Sequence, residues 1–176
     1  RRPGRWNFAR ELSAQYLCLD VDAPFAELIR NEQLRTERDA AMLRVSLWEV
    51  RLFESAIADY GTFEKAEAAG FPAKALVDDD RERCQHEARW LIECDARGVL
   101  APSAALPGTV NLTLFGPRVE VPWQSETKLS SEVRVRRIGG KGPPPTGLVD
   151  RVRHYGDPHA GLEAHRQAVR ARRSAG

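Results

Sequence analysis

The sequence predicts an α+β fold, mainly α: a helical body with one very long helix, a small β-hairpin element and an extended basic C-terminal arm. Three observations lead there. Between Pro24 and Gly61 the chain has neither proline nor glycine and is rich in strong helix formers. Val110, Leu112 and Leu114 alternate with polar residues, as do Val119, Val121 and Trp123 beyond the Gly116-Pro117 turn. Gly139 to Gly147 contains three consecutive prolines, which favour an extended, solvated backbone without a core.

Taken in order, Asn7 is placed to cap a first helix to about Leu17, with Phe8, Leu12 and Tyr16 at helical spacing. Asp22 caps the second, and Pro24 is tolerated in its first turn because that N–H has no helical partner. Run to Gly61, this helix reaches roughly 37 residues and about 50 Å. Arg30 to Asp39 is almost wholly polar, whereas Leu43, Leu47, Val50 and Ile57 form a seam widened by Trp48, Leu52 and Phe53. Thr62 caps a short helix whose start is favoured by Glu64 and Glu67, and Gly70-Phe71-Pro72 breaks it. A last body helix starts at Ala73 or Asp80, turns Trp90, Leu91 and Cys94 inward, and ends near Arg97 before Gly98.

The hairpin follows, with Glu132 to Arg136 as a possible third strand, because two strands alone are marginal in water. Leu162 to Arg173 reads as a basic helix with only Leu162 and Val169 to offer a core, so a partner is needed to order it. The expected division is a helical body over 1–100, a β-hairpin element over 101–138, and a Gly/Pro-rich basic arm with a short terminal helix over 139–176.

The net charge of +2 conceals an asymmetry. Residues 1–10 hold four arginines and no acid, residues 11–127 hold 12 basic and 21 acidic side chains, and residues 128–176 hold 11 basic and 4 acidic. No stretch approaches the roughly 18 to 20 apolar residues of a membrane-spanning helix. Three cysteines, Cys18, Cys84 and Cys94, cannot close into disulfides and suit a reducing compartment. The Arg-rich, acid-free start suits what remains beside a cleaved organellar presequence.

Candidate chemistry is sparse. Asp78-Asp79-Asp80 precedes a helix, where such a run more often caps than binds metal. Gly140-Lys141-Gly142 is followed by three prolines, so no helix can begin there to cradle a phosphate. His154, Asp157 and His159 have suitable ligand types but lie in a turn without a fourth donor, and a partner-contacting turn is expected instead. The residues singled out are Arg134, Arg136, Arg137, Lys141, Arg151, Arg153, Arg166, Arg170, Arg172 and Arg173, since guanidinium forks bind phosphate bidentately and suit RNA.

These features imply a non-catalytic accessory subunit of an organellar ribonucleoprotein, with a mitochondrial ribosomal protein in the matrix as the leading case. The alternative is a structural subunit of a protein-only assembly, such as a respiratory-chain complex or cytoskeletal array. The expected partners are other protein subunits of a large complex and RNA. No catalytic residue, metal, cofactor, membrane span or small-molecule substrate is expected.

Overall fold

The computed structural model describes residues 3–8, 13–52, 54–116, 134–137 and 142–175. In chain order these form β1 (Ala14–Cys18), α1 (Ala23–Asn31), α2 (Glu37–Ala40), β2 (Trp48–Arg51), β3 (Ile57–Asp59), α3 (Phe63–Ala68) and α4 (Ala73–Val77). Then come α5 (Glu82–Glu93), β4 (Gly98–Pro102), β5 (Val110–Phe115), β6 (Arg134–Arg137), a 3-10 turn (Val149–Arg151) and α6 (Ala160–Ser174).

Four strands form one mixed sheet in the order β1-β5-β4-β3. β5 is antiparallel to both β1 and β4, while β3 and β4 are parallel and joined by a crossover through α3, α4 and α5. Register places Cys18 opposite Asn111 and Asn111 opposite Ala101, with Tyr16, Thr113 and Val99 aligned two residues away. Because side chains alternate across a strand, these six share one face. Gly98 is required where β4 meets β5, since a Cβ there would lie 2.5 Å from the Thr113 carbonyl oxygen. β2 and β6 pair separately as an antiparallel ribbon.

The helices cover the face that carries Asn111. One apolar cluster joins Phe63, Leu76, Cys84, Leu91 and Leu162 to Val99, Ala101 and Phe115 of the sheet. A second joins Phe25, Ala26 and Ile29 of α1 to Ala105, Leu106, Leu148, Val149 and Val152, with Cys18 packed against it. On the other face Leu112 and Leu114 meet Leu17, Ile57 and Leu100, with Val50 and Leu52 from the ribbon end. Cys84 is enclosed and its Sγ donates to the Ala75 carbonyl, whereas Cys94 is exposed.

Four expectations about the fold are overturned. The very long helix does not form: α1 starts where Asp22 and Pro24 predict, but stops at Gln33, whose φ of 54° is left-handed. Leu34 N–H then bonds the Ile29 carbonyl, as in a helix-ending turn. Residues 45–60 are rich in β-branched and aromatic side chains, and β2 and β3 form there. The first helix is likewise replaced by β1, and Asn7 bonds the Gly4 N–H and the Tyr16 hydroxyl.

The expected hairpin partner of β5 is displaced, because both edges of β5 are taken, one by distant β1 and the other by the preceding strand β4, rather than by a strand across Gly116-Pro117. Val119 to Trp123 lies outside the described residues. Nor is the C-terminal part a coreless arm. Leu148, Val149, Val152 and Leu162 are all buried, and α6 packs on α3 and α4. A few apolar residues suffice because each is fully used and polar ties supplement them.

Candidate active site

Glu27 sits one turn into α1. Its Oε1 accepts hydrogen bonds from Asn111 Nδ2 at 2.9 Å and from Ser103 Oγ at 3.2 Å. Ser103 follows directly after β4 and is 0% exposed. Its Oγ also accepts from the N–H groups of Ala105 and Leu106, at 3.2 and 3.1 Å. Those two bonds occupy the oxygen's lone pairs, so the hydroxyl hydrogen is committed to Glu27. The Ser103 N–H donates to Thr109, and its carbonyl faces His159 Nε2 at 3.0 Å. Among the described residues Asn111 Oδ1 is enclosed and has no hydrogen-bond partner.

Beyond Cys18 on the same face, Tyr16 organises the preceding loop. Its hydroxyl donates to Asn7 Oδ1 at 2.8 Å and accepts from Trp6 N–H at 2.9 Å. Burial around the hydroxyl pushes its pKa up to about 12, although 46% of the residue remains accessible. Tyr16 is therefore a neutral phenol with an open ring face. Burial, with the Glu27 and Asp20 carboxylates, pushes the Cys18 thiol up to about 12, so it is no thiolate nucleophile.

One cation, Arg30, lies near Glu27 without bonding it. Arg30, one turn after Glu27 on α1, is 2% exposed; its Nη2 binds Asp79 at 2.6 Å and its guanidinium lies 4.3 Å from the Tyr155 ring centre. Burial, then the Arg5 and Arg153 charges, lower its pKa, while Glu27 acts the other way. Arg5 reaches the Ala75 carbonyl at 3.4 Å. Among the described residues Glu27 makes no ion pair: its bonding partners are a hydroxyl and an amide. A carboxylate bonded only by neutral donors is not offset by a partner's charge, which leaves it available to a bound molecule. A separate groove of about 490 Å³, lined by Phe71, Asp80, Arg83, His86 and Glu87 among others, shares none of these groups.

The arginines singled out from the sequence are not gathered into one surface. Arg134, Arg136 and Arg137 lie in β6, and Lys141 lies outside the described residues. Arg151 pairs with Asp22 at 3.0 Å, and Arg166 with Glu163 at 2.8 Å. Arg153 is buried against Asp79, Val77 and Asp157. Arg170, Arg172 and Arg173 are exposed near the end of α6. Of the histidine turn, His154 N–H bonds Asp157 while His159 turns inward to Ser103. Of the aspartate run, Asp80 accepts the Glu82 N–H, but Asp79 binds two arginines.

Glu27, Ser103, Asn111 and Tyr16 escaped the sequence reading. A usable signal existed: Glu27 and Ser103 are lone polar residues inside apolar runs, Phe25 to Ile29 and Val99 to Leu106. Such residues are buried only with a partner.

Comparison with known proteins gives this cluster a context. A family model described as the RES domain matches residues 1–136. No curated protein matches the chain. Among solved structures, the crystal structure of the M. tuberculosis MbcT-MbcA toxin-antitoxin complex is similar, with a TM-score of 0.60 and 24% identity. That match covers 85% of this chain and 76% of the other.

These findings overturn several expectations. RES-domain toxins are enzymes, which corrects the non-catalytic assignment. The family also removes the ribosomal, RNA-binding and structural-subunit assignments, together with the protein-only alternative. The matched toxin is bacterial, so the mitochondrial location falls as well. The similar structure is itself a complex of two proteins, and no comparison speaks for RNA. Among the described residues no helix is long and apolar enough to cross a membrane. With more than three quarters of its length under the family model, the chain belongs to the RES domain family.

Proposed function

We propose that this protein is a toxin-type enzyme that degrades NAD+ by breaking the bond between nicotinamide and its ribose, and that an antitoxin-like protein restrains it. RES-domain toxins, MbcT among them, degrade NAD+. The observation that carries the choice of bond is Glu27, a carboxylate held by Ser103 and Asn111 with no cation bonded to it among the described residues.

Nicotinamide leaves with the electron pair of the glycosidic bond and departs neutral, so no acid is needed to protonate it. Positive charge develops on the ribose carbon, where an adjacent carboxylate stabilises it. A hydroxyl nucleophile such as water then supplies the new bond and releases its proton. Attack on the pyrophosphate would instead bring negative charge against Glu27. Ser103 and Asn111 hold the carboxylate oxygen in place for the stabilising role. The open Tyr16 ring offers a stacking face.

For the partner, support comes from the toxin–antitoxin complex that the fold resembles and from apolar surface at the end of β1. Leu19 and Val21 are 65% and 58% exposed there, close to the strand that carries Tyr16.

The test incubates the purified chain with NAD+ and separates the products. Nicotinamide should appear as NAD+ disappears, and Glu27→Gln should slow this at least about 100-fold while circular dichroism stays unchanged. Intact NAD+ with folded wild-type protein, or release of AMP in place of nicotinamide, sinks the proposal.

A further inference from the structure

We infer that His159 is a positioning residue for the Glu27–Ser103 pair, which makes the C-terminal segment part of the catalytic scaffold. This rests on the site proposed above. His159 stands at the N-terminal cap of α6 and is buried, with its ring edge-on to Phe63 at 5.8 Å. Nδ1 accepts the Leu162 N–H at 3.2 Å, and Nε2 lies 3.0 Å from the Ser103 carbonyl oxygen. A single proton arrangement satisfies both: Nδ1 must be bare, so Nε2 carries the hydrogen and donates it to Ser103. Burial, reinforced by the charges of Arg153 and Arg30, disfavours the protonated ring, which keeps that neutral form at pH 7.

The bond matters because of where it falls. The β4 ladder ends at Pro102, so the Ser103 carbonyl has left the sheet and its direction is set by His159. Turning that peptide would swing Oγ away from Glu27, where the bond is already 3.2 Å long. A second tie acts on the same turn: Arg153 N–H bonds the Ala105 carbonyl at 2.8 Å, and Leu148, Val149 and Val152 pack on Ala105 and Leu106. The turn is therefore held between α1 on one side and the C-terminal segment on the other. That segment lies beyond residue 136, where the family match ends.

Two substitutions separate positioning from mere stability. Asparagine at 159 keeps the helix cap, because its Oδ1 stands in for Nδ1, but nothing reaches Ser103. Glutamine carries an amide N–H long enough to approach the Ser103 carbonyl. His159→Asn should lower kcat for NAD+ about 10-fold with KM little changed and Tm preserved, and His159→Gln should recover part of the loss. Hydrogen exchange gives a readout independent of activity. The Ala105 and Leu106 amides, which bond Ser103 Oγ, should exchange faster in His159→Asn while β5 amides do not change. Wild-type kcat and unchanged exchange in His159→Asn would overturn the inference, as would a kcat loss explained by a lower Tm. Failure of the wild type to cleave NAD+ would instead count against the proposed reaction, and exchange alone would then decide the role of His159.

Discussion

Glu27 and Asp79 are both carboxylates that tie distant segments of the chain together, yet they keep opposite company. Asp79 Oδ1 accepts from Arg30 at 2.6 Å and Arg153 at 3.0 Å, and Oδ2 from the Gly156 N–H at 2.7 Å. Burial works against its charge, but Gly156, Arg153 and Arg30 together hold its pKa below the ordinary carboxylate range. Among the described residues Glu27 bonds Ser103 and Asn111 alone. A carboxylate neutralised by cations fastens segments together; one bonded by neutral donors retains charge that a visiting molecule can use. One stretch of chain serves both, since Arg153 goes to Asp79 and His159 to Ser103.

The contrast breaks most visibly at Asp79. Asp79→Ala leaves Arg30 and Arg153 enclosed without a counter-charge and should destabilise the fold by about 3 kcal/mol, read from the urea midpoint. An effect under about 1 kcal/mol would mean that the arginines are fastened by their other contacts.

A smaller effect comes from a third arrangement, in which the charge sits on a buried histidine. His165 lies between Glu64 Oε1 at 2.9 Å and Glu67 Oε2 at 3.0 Å. Burial opposes protonation, but the two carboxylates outweigh it and raise the pKa, while the bond to His165 lowers that of Glu64. This contribution to stability is fully present below the unfolded value of about 6.5 and is lost as pH rises through the raised folded value. His159 has the opposite sign, because its lowered pKa makes the folded state resist protonation as pH falls below about 6.5. His165→Gln should therefore flatten the decline of Tm on the alkaline side, while His154 and His159, both with lowered pKa, still weaken the fold on the acid side. A decline of the same slope in the variant would rule out the pair as its source.

The smallest change in stability should come from Glu27→Gln. The amide oxygen still accepts from Ser103, so the urea midpoint should move by less than about 1 kcal/mol, against the 100-fold loss of turnover. If instead it unfolds the protein, Glu27 is a fastening group like Asp79 and the contrast fails.

Local signals in the sequence were legible wherever short-range physics decides. Thr62 accepts the Lys65 N–H and caps α3, Pro24 sits in the first turn of α1, and the alternation at Val110, Leu112 and Leu114 is β5. The long helix failed for an identifiable reason. Trp48, Val50 and Leu52 alternate by two, a strand period that was absorbed into a wide helical seam. The site was hidden more deeply. Glu27 and Ser103 stand 76 residues apart, and His159 and Ser103 stand 56 apart, so only sheet closure brings them together. Arg153 was legible as a cation but not as a buried one, since charge alone says nothing of which carboxylate awaits it.

The three thiols differ enough to be useful. Cys84 is sealed in the core and pushed up to about 11 by burial, and Cys18 lies higher still, whereas Cys94 faces solvent at the end of α5. A mild alkylating dye at neutral pH thus has one ready address on the folded molecule. A label placed there leaves Glu27, Ser103 and the chain that clasps them unaltered.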